Sequence, residues 1–504
     1  MKRSLIVILG LMFVLGFTVS AFAIHAEIPS ETQSAVAKGA TQITLGGELR
    51  FRGETRNNTA DFDKEAADRL NAYDGRVRLN LQADTSKNTT GYLQLESGDV
   101  DTNDTFTWGA NSTSDLTAAG AASGTATTSS GASGTYTEGN GKRGDLRILQ
   151  AWIQSKEVIG PIGFKIGHMP IKLGNGLFLD HSKFGDDAIM LFANPTKEVE
   201  LALVDAKFTE GLTTSNPSRG FGGGNSDDTD AYAFLINYKG SGFNIGADAA
   251  YLNDQNFADY GLHLWNYGVR MNSKMGPIGV KADIEIQRGI GKNKSCYGGA
   301  GRITNDNCDF EFEGHAYLAG VDFDLGSVVL DAVIASGSGE NGTSMNEDNK
   351  ITAFQTAQGG DQHYTYVYEY RARTAAVGAQ TNAVAGGNAL GNTGTGISNT
   401  TYYKVGATAK PTKDLSANLS LYFLKATKPV VTATNSEYYN STDIGRELDG
   451  KVTYQIDKNL VYFVEGGYLQ SGDIYRNLTT NDESRNKRFP DDAYAVRHGV
   501  TLSF

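Results

Sequence analysis

The chain ends in YAVRHGVTLSF, from Tyr494 to Phe504, and this run carries the pattern that decides the fold. One phase of the run is large and mostly apolar, consisting of Tyr494, Val496, His498, Val500, Leu502 and Phe504. The other phase is small or polar throughout, consisting of Ala495, Arg497, Gly499, Thr501 and Ser503. Alternation with a period of two predicts a β-strand that has one apolar face and one polar face.

A strand of this kind that is followed by no tail resembles the last strand of bacterial outer-membrane β-barrels. The resemblance implies recognition by the barrel-assembly machinery through Phe504 and a location in the outer membrane of a Gram-negative cell. It also implies lipid outside the wall and water in the lumen. After the first 23 residues, no apolar run is long enough to cross a bilayer as a helix, and strands that show lipid only alternate residues escape hydropathy averages.

The beginning of the chain has the form of a secretory signal. Met1-Lys2-Arg3 is basic, Leu5 to Phe17 is apolar, and Ala21-Phe22-Ala23 is a small-x-small cleavage site. The predicted organisation is a signal peptide over 1–23, a periplasmic lead over 24–40 and a transmembrane barrel over 41–504 with long extracellular loops.

Composition excludes several classes of function. The net charge is −12 without a basic patch, which argues against a nucleic-acid partner. Cys296 and Cys308 are the only cysteines, and in an oxidising compartment they are predicted to form a disulfide within one loop. No spacing indicates a metal site, a haem or another cofactor. None of the seven histidines lies in a nucleophile-elbow motif, so the chain is not expected to be an enzyme.

The lengths of the connections predict the number of strands. The clearest strand is Ile278 to Gln287, and outer-membrane barrels alternate short periplasmic turns with long outer loops. The sequence offers nine long connections and eight short ones, at Thr85–Asn88, Lys156–Ile162, Asn194–Lys197, Lys239–Gly242, Ser273–Pro277, Leu325–Ser327, Pro411–Asp414 and Asp457–Asn459. The prediction is an all-β transmembrane antiparallel barrel of eighteen strands, with sixteen as the open alternative.

Two segments decide between these counts. Asp186–Ala193 must be a strand although its alternation is poor, because otherwise short and long connections no longer alternate. Tyr364–Arg373 (YTYVYEYRAR) looks like a strand but is assigned to the large outer loop, where it could extend a hairpin. Placing it in the wall would put a long Gly/Asn/Ala loop in the periplasm.

The polar phase of the strands predicts which side chains line the lumen. Four arginines, Arg50, Arg52, Arg76 and Arg78, fall on two neighbouring strands. The full predicted set of pore-lining residues is Glu48, Arg50, Arg52, Glu54, Arg76, Arg78, Lys281, Asp283, Glu285, Glu447, Asp449, Lys451, Glu465 and Arg497. Under one hypothesis, an arginine-rich wall faces an acidic wall and filters solutes by charge and size. Under the other, these charges only pair across neighbouring strands.

Two motifs resemble the alginate-export family of porins. The stronger one begins at Ile444-Gly445-Arg446-Glu447-Leu448-Asp449 and continues through Gly466-Gly467-Tyr468 to Gly472-Asp473. The weaker one is Gln150-Ala151-Trp152-Ile153 followed by Lys165-Ile166-Gly167-His168, in which His168 stands where that family usually has Arg. The resemblance implies an outer-membrane channel of eighteen strands, and it does not carry over alginate as the substrate.

The sequence therefore predicts an outer-membrane channel for the diffusion of small hydrophilic solutes or ions. Two alternatives remain open: an insulating barrel around a multihaem cytochrome, and a polysaccharide-export channel. Lipid of the outer membrane and small solutes are the expected partners, and the oligomeric state is not readable from the chain.

Overall fold

Eighteen antiparallel strands close into an all-β barrel in the computed structural model of the protein. The structure describes residues 34–38, 41–59, 62–64, 69–98, 106–107, 145–209, 228–255, 260–293, 309–339, 350–357, 363–370, 396–434, 437–475 and 490–504. The wall strands in chain order are β1 Thr41–Asn57, β2 Leu70–Asp84, β3 Thr89–Gly98, β4 Asp145–Ile159, β5 Ile162–Lys172, β6 Asp180–Ala193, β7 Val199–Thr209, β8 Thr229–Gly240, β9 Phe243–Asp254, β10 Tyr260–Met275, β11 Ile278–Asn293, β12 His315–Asp324, β13 Val328–Gly337, β14 Thr400–Ala409, β15 Leu415–Thr434, β16 Glu437–Asp457, β17 Leu460–Ser471 and β18 Ala493–Ser503.

A few shorter elements accompany the wall. They are the strands Ser34–Lys38, Phe106–Thr107, Asp309–Phe312 and Lys350–Ile351, and the 3₁₀ turn Asp473–Tyr475. Within the described ranges there is no α-helix, and so none that is long and apolar enough to cross a membrane.

The first and last strands close the barrel. β18 pairs with β1 in a continuous antiparallel register that runs from Ser503 opposite Glu48 to Tyr494 opposite Asn57. Beyond this ladder, main-chain hydrogen bonds of 2.7 and 3.0 Å join Phe504 to Gly47. Because every strand then has two neighbours, the wall leaves no open edge that would have to be satisfied in lipid. The predicted role of the terminal run as the closing strand is confirmed.

The eighteen-strand count is confirmed, and each of the eight short connections joins two consecutive wall strands. Asp186–Ala193 lies in β6, where it pairs with both β5 and β7. Its alternation in sequence is poor because the buried inward residues Ala188, Met190 and Phe192 are apolar, like the exposed outward residues Ile189 and Leu191. An irregularity is confined to the start of the strand, where Gly185 has φ of +81° and the register with β5 shifts near Met169 and Ile171.

The two faces of the wall differ as the alternation predicts. On β10, Trp265, Tyr267 and Val269 are 41%, 45% and 57% exposed, whereas Asn266 and Arg270 between and beside them are buried. Large exposed apolar side chains recur in this way on the wall strands, and such a band is stable only against lipid. The outward face is therefore the lipid face, and the buried polar side chains point inward.

Aromatic side chains gather near both ends of the strands. Tyr238 and Phe243 flank a short turn with ring centroids 5.8 Å apart. Nearer the long-loop end of neighbouring strands, Tyr251 and Trp265 lie 4.8 Å apart. Amphipathic rings prefer the interface between hydrocarbon and water, so the two groups correspond to the two margins of the membrane.

A hairpin between β5 and β6 folds into the barrel. Leu173, Phe178 and Leu179 of this hairpin are buried against the apolar inner faces of Val204 and Leu252 on β7 and β9. The main-chain N–H of Asn175 donates a 2.9 Å hydrogen bond to Oδ2 of Asp283 on β11. Part of the lumen beside β7–β11 is consequently a packed apolar core and not open water.

Two pieces of the long connection between β13 and β14 also lie inside the barrel. In the first, Ala357 donates its N–H to the carbonyl of Phe178 at 2.8 Å, and Gln355 exchanges hydrogen bonds of 2.7 and 2.8 Å with the side chain of Gln287 on β11. Near its start, Lys350 lies 2.7 Å from Glu313, and this hydrogen bond lowers the pKa of Glu313.

In the second piece, the described residues of Tyr364–Arg373 lie in the long connection and not in the wall, as expected, but they do not extend a hairpin. Residues 363–370 form bends and turns rather than a strand, and they lie against the inner wall rather than outside it. No strand pairs with this turn within the described ranges, so its alternation of aromatic residues serves the packing of rings in the lumen. Residues 371–373, the predicted disulfide of Cys296 with Cys308 and the predicted signal peptide lie outside the described residues.

Candidate functional site

The four arginines of β1 and β2 are brought side by side on the inner wall. Arg50 lies directly opposite Arg76, Arg52 opposite Asp74, and Arg78 opposite Glu48. Side chains along one strand alternate between the two faces of the wall, so residues two apart on the same strand share a face. The four arginines therefore all lie on the lumen face. Guanidinium groups this close repel one another unless anions lie between them.

Three carboxylates supply those anions. Arg52 Nε donates to Asp74 at 2.9 Å, Arg76 Nη2 lies 2.5 Å from Glu48, and Arg78 Nε donates to Glu96 on β3. Burial makes it costly to hold these charges away from bulk water. The neighbouring arginines offset that cost. The pairing stiffens long side chains that would otherwise sample many rotamers.

A second cationic group adjoins the first on the last three strands. Arg497 of β18 pairs with Glu465 of β17, and Lys451 of β16 lies 3.0 Å from the same carboxylate. The guanidinium of Arg497 also lies over the rings of Tyr366 and Tyr370, at 5.2 and 5.5 Å from the ring centroids. These rings belong to the inward turn 363–370, so the turn and the wall meet at Arg497.

Both groups border one cavity inside the barrel, with a volume of about 660 Å³. Its charged lining consists of eight basic residues and two acidic ones: Arg50, Arg52, Arg76, Arg78, Lys183, Lys404, Lys451, Arg497, Asp449 and Glu465. Tyrosines and polar groups complete it, among them Tyr364, Tyr366, Tyr370, Tyr422, Asn418 and Ser420. The carboxylates that pair with Arg52, Arg76 and Arg78 are not part of the lining, so the surface that faces the cavity is basic.

Three predicted acidic residues project inward but do not border the cavity. Asp283 and Glu285 on β11 are 1% and 0% exposed and lie beneath the inward hairpin and loop. Glu447 on β16 is 0% exposed and lies beneath the turn 363–370. Asp283 and Glu285 on β11 thus lie many strands from the four arginines, whereas Glu447 on β16 is only two strands from Arg497 on β18. The segments that fold inward contact Asp283 and Glu447 and cover them.

The remaining predicted residues have other places. Glu48 is partly buried as the partner of Arg76, and Glu54 lies directly opposite Arg497 in the β1–β18 ladder. Lys281 lies on the same strand face as Asp283, two residues nearer the short turn and outside the cavity lining.

Several residues that line the cavity lie outside the predicted set. Lys404 on β14 could have been found, because Tyr402, Lys404 and Gly406 alternate with the outward Tyr403 and Val405. Lys183 and the turn 363–370 carry no such signal, since their positions depend on how long connections fold back into the lumen.

No metal-binding arrangement accompanies the cavity. In the part of the chain that the structure describes, no three or more His, Cys, Asp or Glu side chains form a group that could hold a metal ion. The arrangement instead provides fixed cations, hydroxyl groups and aromatic faces around water, which can attract and orient a small anion.

Comparisons with known proteins bear on the fold. No family model matches the chain, and no curated protein matches it in sequence. The solved structure of OccK9 (OpdG) from Pseudomonas aeruginosa is similar, with 14% identity, a TM-score of 0.50, and coverage of 92% of this chain and 98% of that chain. OccAB1 from Acinetobacter baumannii has 10% identity, a TM-score of 0.49 and coverage of 91% and 96%. The outer membrane protein OpdK from P. aeruginosa has 9% identity, a TM-score of 0.48 and coverage of 92% and 98%.

The likeness to OccK9 is a likeness of fold over nearly the whole of both chains. The chain therefore has the fold of a bacterial outer-membrane porin. At this identity the comparison says nothing about which solute passes.

Proposed function

We propose that the protein is an outer-membrane channel for small hydrophilic solutes and that it favours anions. The observation that carries this proposal is the cavity of about 660 Å³, with eight basic and two acidic lining residues inside a barrel of porin fold. Fixed cations in a confined, low-dielectric passage raise the local concentration of anions and lower the barrier for their entry.

The size and chemistry of the cavity favour compact solutes. The hairpin Leu173–Leu179 and the turn 363–370 pack inside the barrel, and the space they take is lost to a folded partner. This supports a diffusion channel over an insulating barrel around a multihaem cytochrome. Hydroxyl groups of Tyr422 and Ser420 beside the cations suit hydrated organic anions such as short carboxylates.

Planar-bilayer recording tests this function. The protein is refolded from inclusion bodies, which removes contamination by native porins, and reversal potentials are measured in a KCl gradient. We expect unitary conductance steps and a reversal potential that shows preference for chloride over potassium. Selectivity should weaken as salt rises, because the Debye length falls from about 10 Å at 0.1 M to about 3 Å at 1 M. Absence of conductance would refute the channel, and cation preference would refute the anion preference alone.

Relation to the alginate-export family is a further proposal, supported by the motifs at Ile444–Asp449 and Gly466–Asp473. The basic lining suits a uronate as it suits other carboxylates. The same recordings bear on it, since alginate oligomers should block the chloride current at lower concentration than monomeric uronate if the cavity binds a polyuronate. Equal block by both would leave only the general anion channel.

Processing of the chain gives another expected result. The basic start, the apolar Leu5–Phe17 segment and Ala21-Phe22-Ala23 support removal of residues 1–23 by signal peptidase. N-terminal sequencing of protein extracted from outer membranes should begin at Ile24. A sequence that begins at Met1 in the same fraction would contradict the proposed signal peptide.

We also propose that the chain has no catalytic activity and that Phe504 mediates recognition by the barrel-assembly machinery. The first is supported by the channel-like cavity, and the second by the pairing of the terminal strand with β1.

A further inference from the structure

A buried carboxylate on β16 contacts the inward turn through main-chain groups. Glu447 is 0% exposed, and its two oxygens accept the N–H groups of Val367 and Tyr368 at 2.5 and 2.8 Å. Two residues along the same strand face, Asp449 accepts the N–H of Tyr366 at 3.0 Å. Three consecutive amides of the turn therefore bind two side chains of the wall.

This arrangement carries an energetic cost. Burying a carboxylate in the lumen wall is unfavourable, and charge-assisted hydrogen bonds from main-chain amides offset part of the cost. In the described part of the chain, Glu447 and Asp449 are the acceptors for the amides of residues 366–368. Without a neighbouring strand, the turn would otherwise leave these donors unsatisfied inside the barrel.

The neighbouring strand leaves room for this contact. A Cβ built on Gly467 of β17 would collide with Asp449 Oδ1 and would lie 2.9 Å from Val367 Cγ2 and 3.1 Å from Glu447 Oε1. A glycine at 467 thus permits the carboxylates and the turn to approach the wall closely.

The held turn places aromatic rings in the cavity. Tyr364 stacks on Tyr402 of β14 at 4.7 Å, and the hydroxyl of Tyr368 lies 2.9 Å from Thr400 Oγ1. Tyr366 and Tyr370 lie over Arg497. Residues 363–366 and Tyr370 of the turn border the cavity, whereas residues 367–369 do not. The turn consequently forms part of the lining of the cavity that the basic residues also border.

We propose that Glu447 is a positioning residue: by binding the amides of Val367 and Tyr368, it fixes the turn 363–370 against the wall and so sets the solute size limit of the channel. This rests on the proposed channel function. Glu447 acts through the turn and does not contact the solute, in contrast to the lining role predicted for it from sequence.

Two variants disturb the contact in different ways. Glu447→Gln keeps the size of the side chain but turns an NH₂ donor toward a main-chain N–H donor. Gly467→Ala keeps every charge and displaces the carboxylates and Val367 by steric overlap. Glu285→Gln is the matched control, since Glu285 is equally buried on β11 and its carboxylate accepts from Asn266, away from the turn.

The measurements are the unitary conductance, the largest polyethylene glycol that enters the pore and amide hydrogen exchange of residues 363–370, each on barrels shown to be folded by heat-modifiable migration. We expect both Glu447→Gln and Gly467→Ala to lose protection at Val367 and Tyr368, to change conductance and to lose the wild-type size limit. Glu285→Gln should match wild type in all three.

The possible results test the positioning role of Glu447 separately from the channel function. If wild type conducts and both variants keep its size limit and its exchange protection, Glu447 does not position the turn. If only Glu447→Gln changes conductance, the effect is one of charge and the positioning role is refuted. If wild type does not conduct, the channel function fails, while hydrogen exchange still shows whether the contact holds the turn.

Discussion

Replacing Arg50, Arg52, Arg76 and Arg78 together with glutamine is expected to abolish or reverse the preference for anions. These arginines supply half of the basic lining, and their partners Glu48, Asp74 and Glu96 would remain in place with uncompensated charge. The local field at the cavity would then change sign on this wall.

The size of the effect follows from Coulomb's law. A unit charge about 8 Å from a permeating ion contributes about 2 kcal/mol at an effective dielectric constant of about 20. Screening over a Debye length of about 8 Å reduces this without removing it. Since about 1.4 kcal/mol corresponds to a factor of ten, four neutralised charges should lower the chloride-to-potassium permeability ratio by at least about tenfold.

Reversal potentials measured in a KCl gradient check this expectation. The matched control replaces four basic residues outside the cavity lining with glutamine: Lys207, Lys239, Lys274 and Lys410. Both variants change the net charge equally, and three of the control lysines also lie in ion pairs. An unchanged permeability ratio in the folded arginine variant would show that the selective region lies elsewhere in the lumen.

The second large effect concerns the two faces of one strand. Leu419 on β15 is 55% exposed on the lipid face, while its neighbour Asn418 borders the cavity. Leu419 is the fifth residue of β15, and a strand needs about 9–11 residues to cross the hydrocarbon, so this side chain lies near its middle. Leu419→Arg is therefore expected to destabilise the folded barrel by roughly 2–4 kcal/mol.

Asn418→Arg is the matched control, because it places the same side chain one residue away on the lumen face of the strand. Its stability should stay close to wild type, and its preference for anions should increase. Urea titrations of folding into lipid vesicles measure the difference in free energy of unfolding. Equal destabilisation by the two substitutions would contradict the assignment of faces, and with it the membrane-spanning barrel.

Much of the wall could be predicted from the chain because lipid and water impose opposite demands on alternate residues. Alternation along each strand predicts that Arg50 and Arg52 lie on the polar face, and that Arg76 and Arg78 do as well. The structure adds that Arg50 lies opposite Arg76, and that Glu96 of β3 completes the ion pairs. Lys404 obeys the same alternation and could have been included.

The interior of the barrel could not be predicted in this way. YTYVYEYRAR alternates like a strand, yet its amides bind the carboxylates of Glu447 and Asp449, about 80 residues further along the chain. Asp283 is covered because Asn175, 108 residues away, folds onto it. Such contacts depend on where a long connection comes to rest, and no local period records that.

Period-two alternation, ending in the run that closes on Phe504, was sufficient to predict a lipid-facing barrel, because each strand meets the same two solvents along its length. The lengths of the connections predicted eighteen strands and left sixteen open. The folded chain alone decides how wide the lumen is and which charges a solute meets. Those properties arise where loops return into the barrel, bury the acidic side chains and leave the arginines exposed to the cavity.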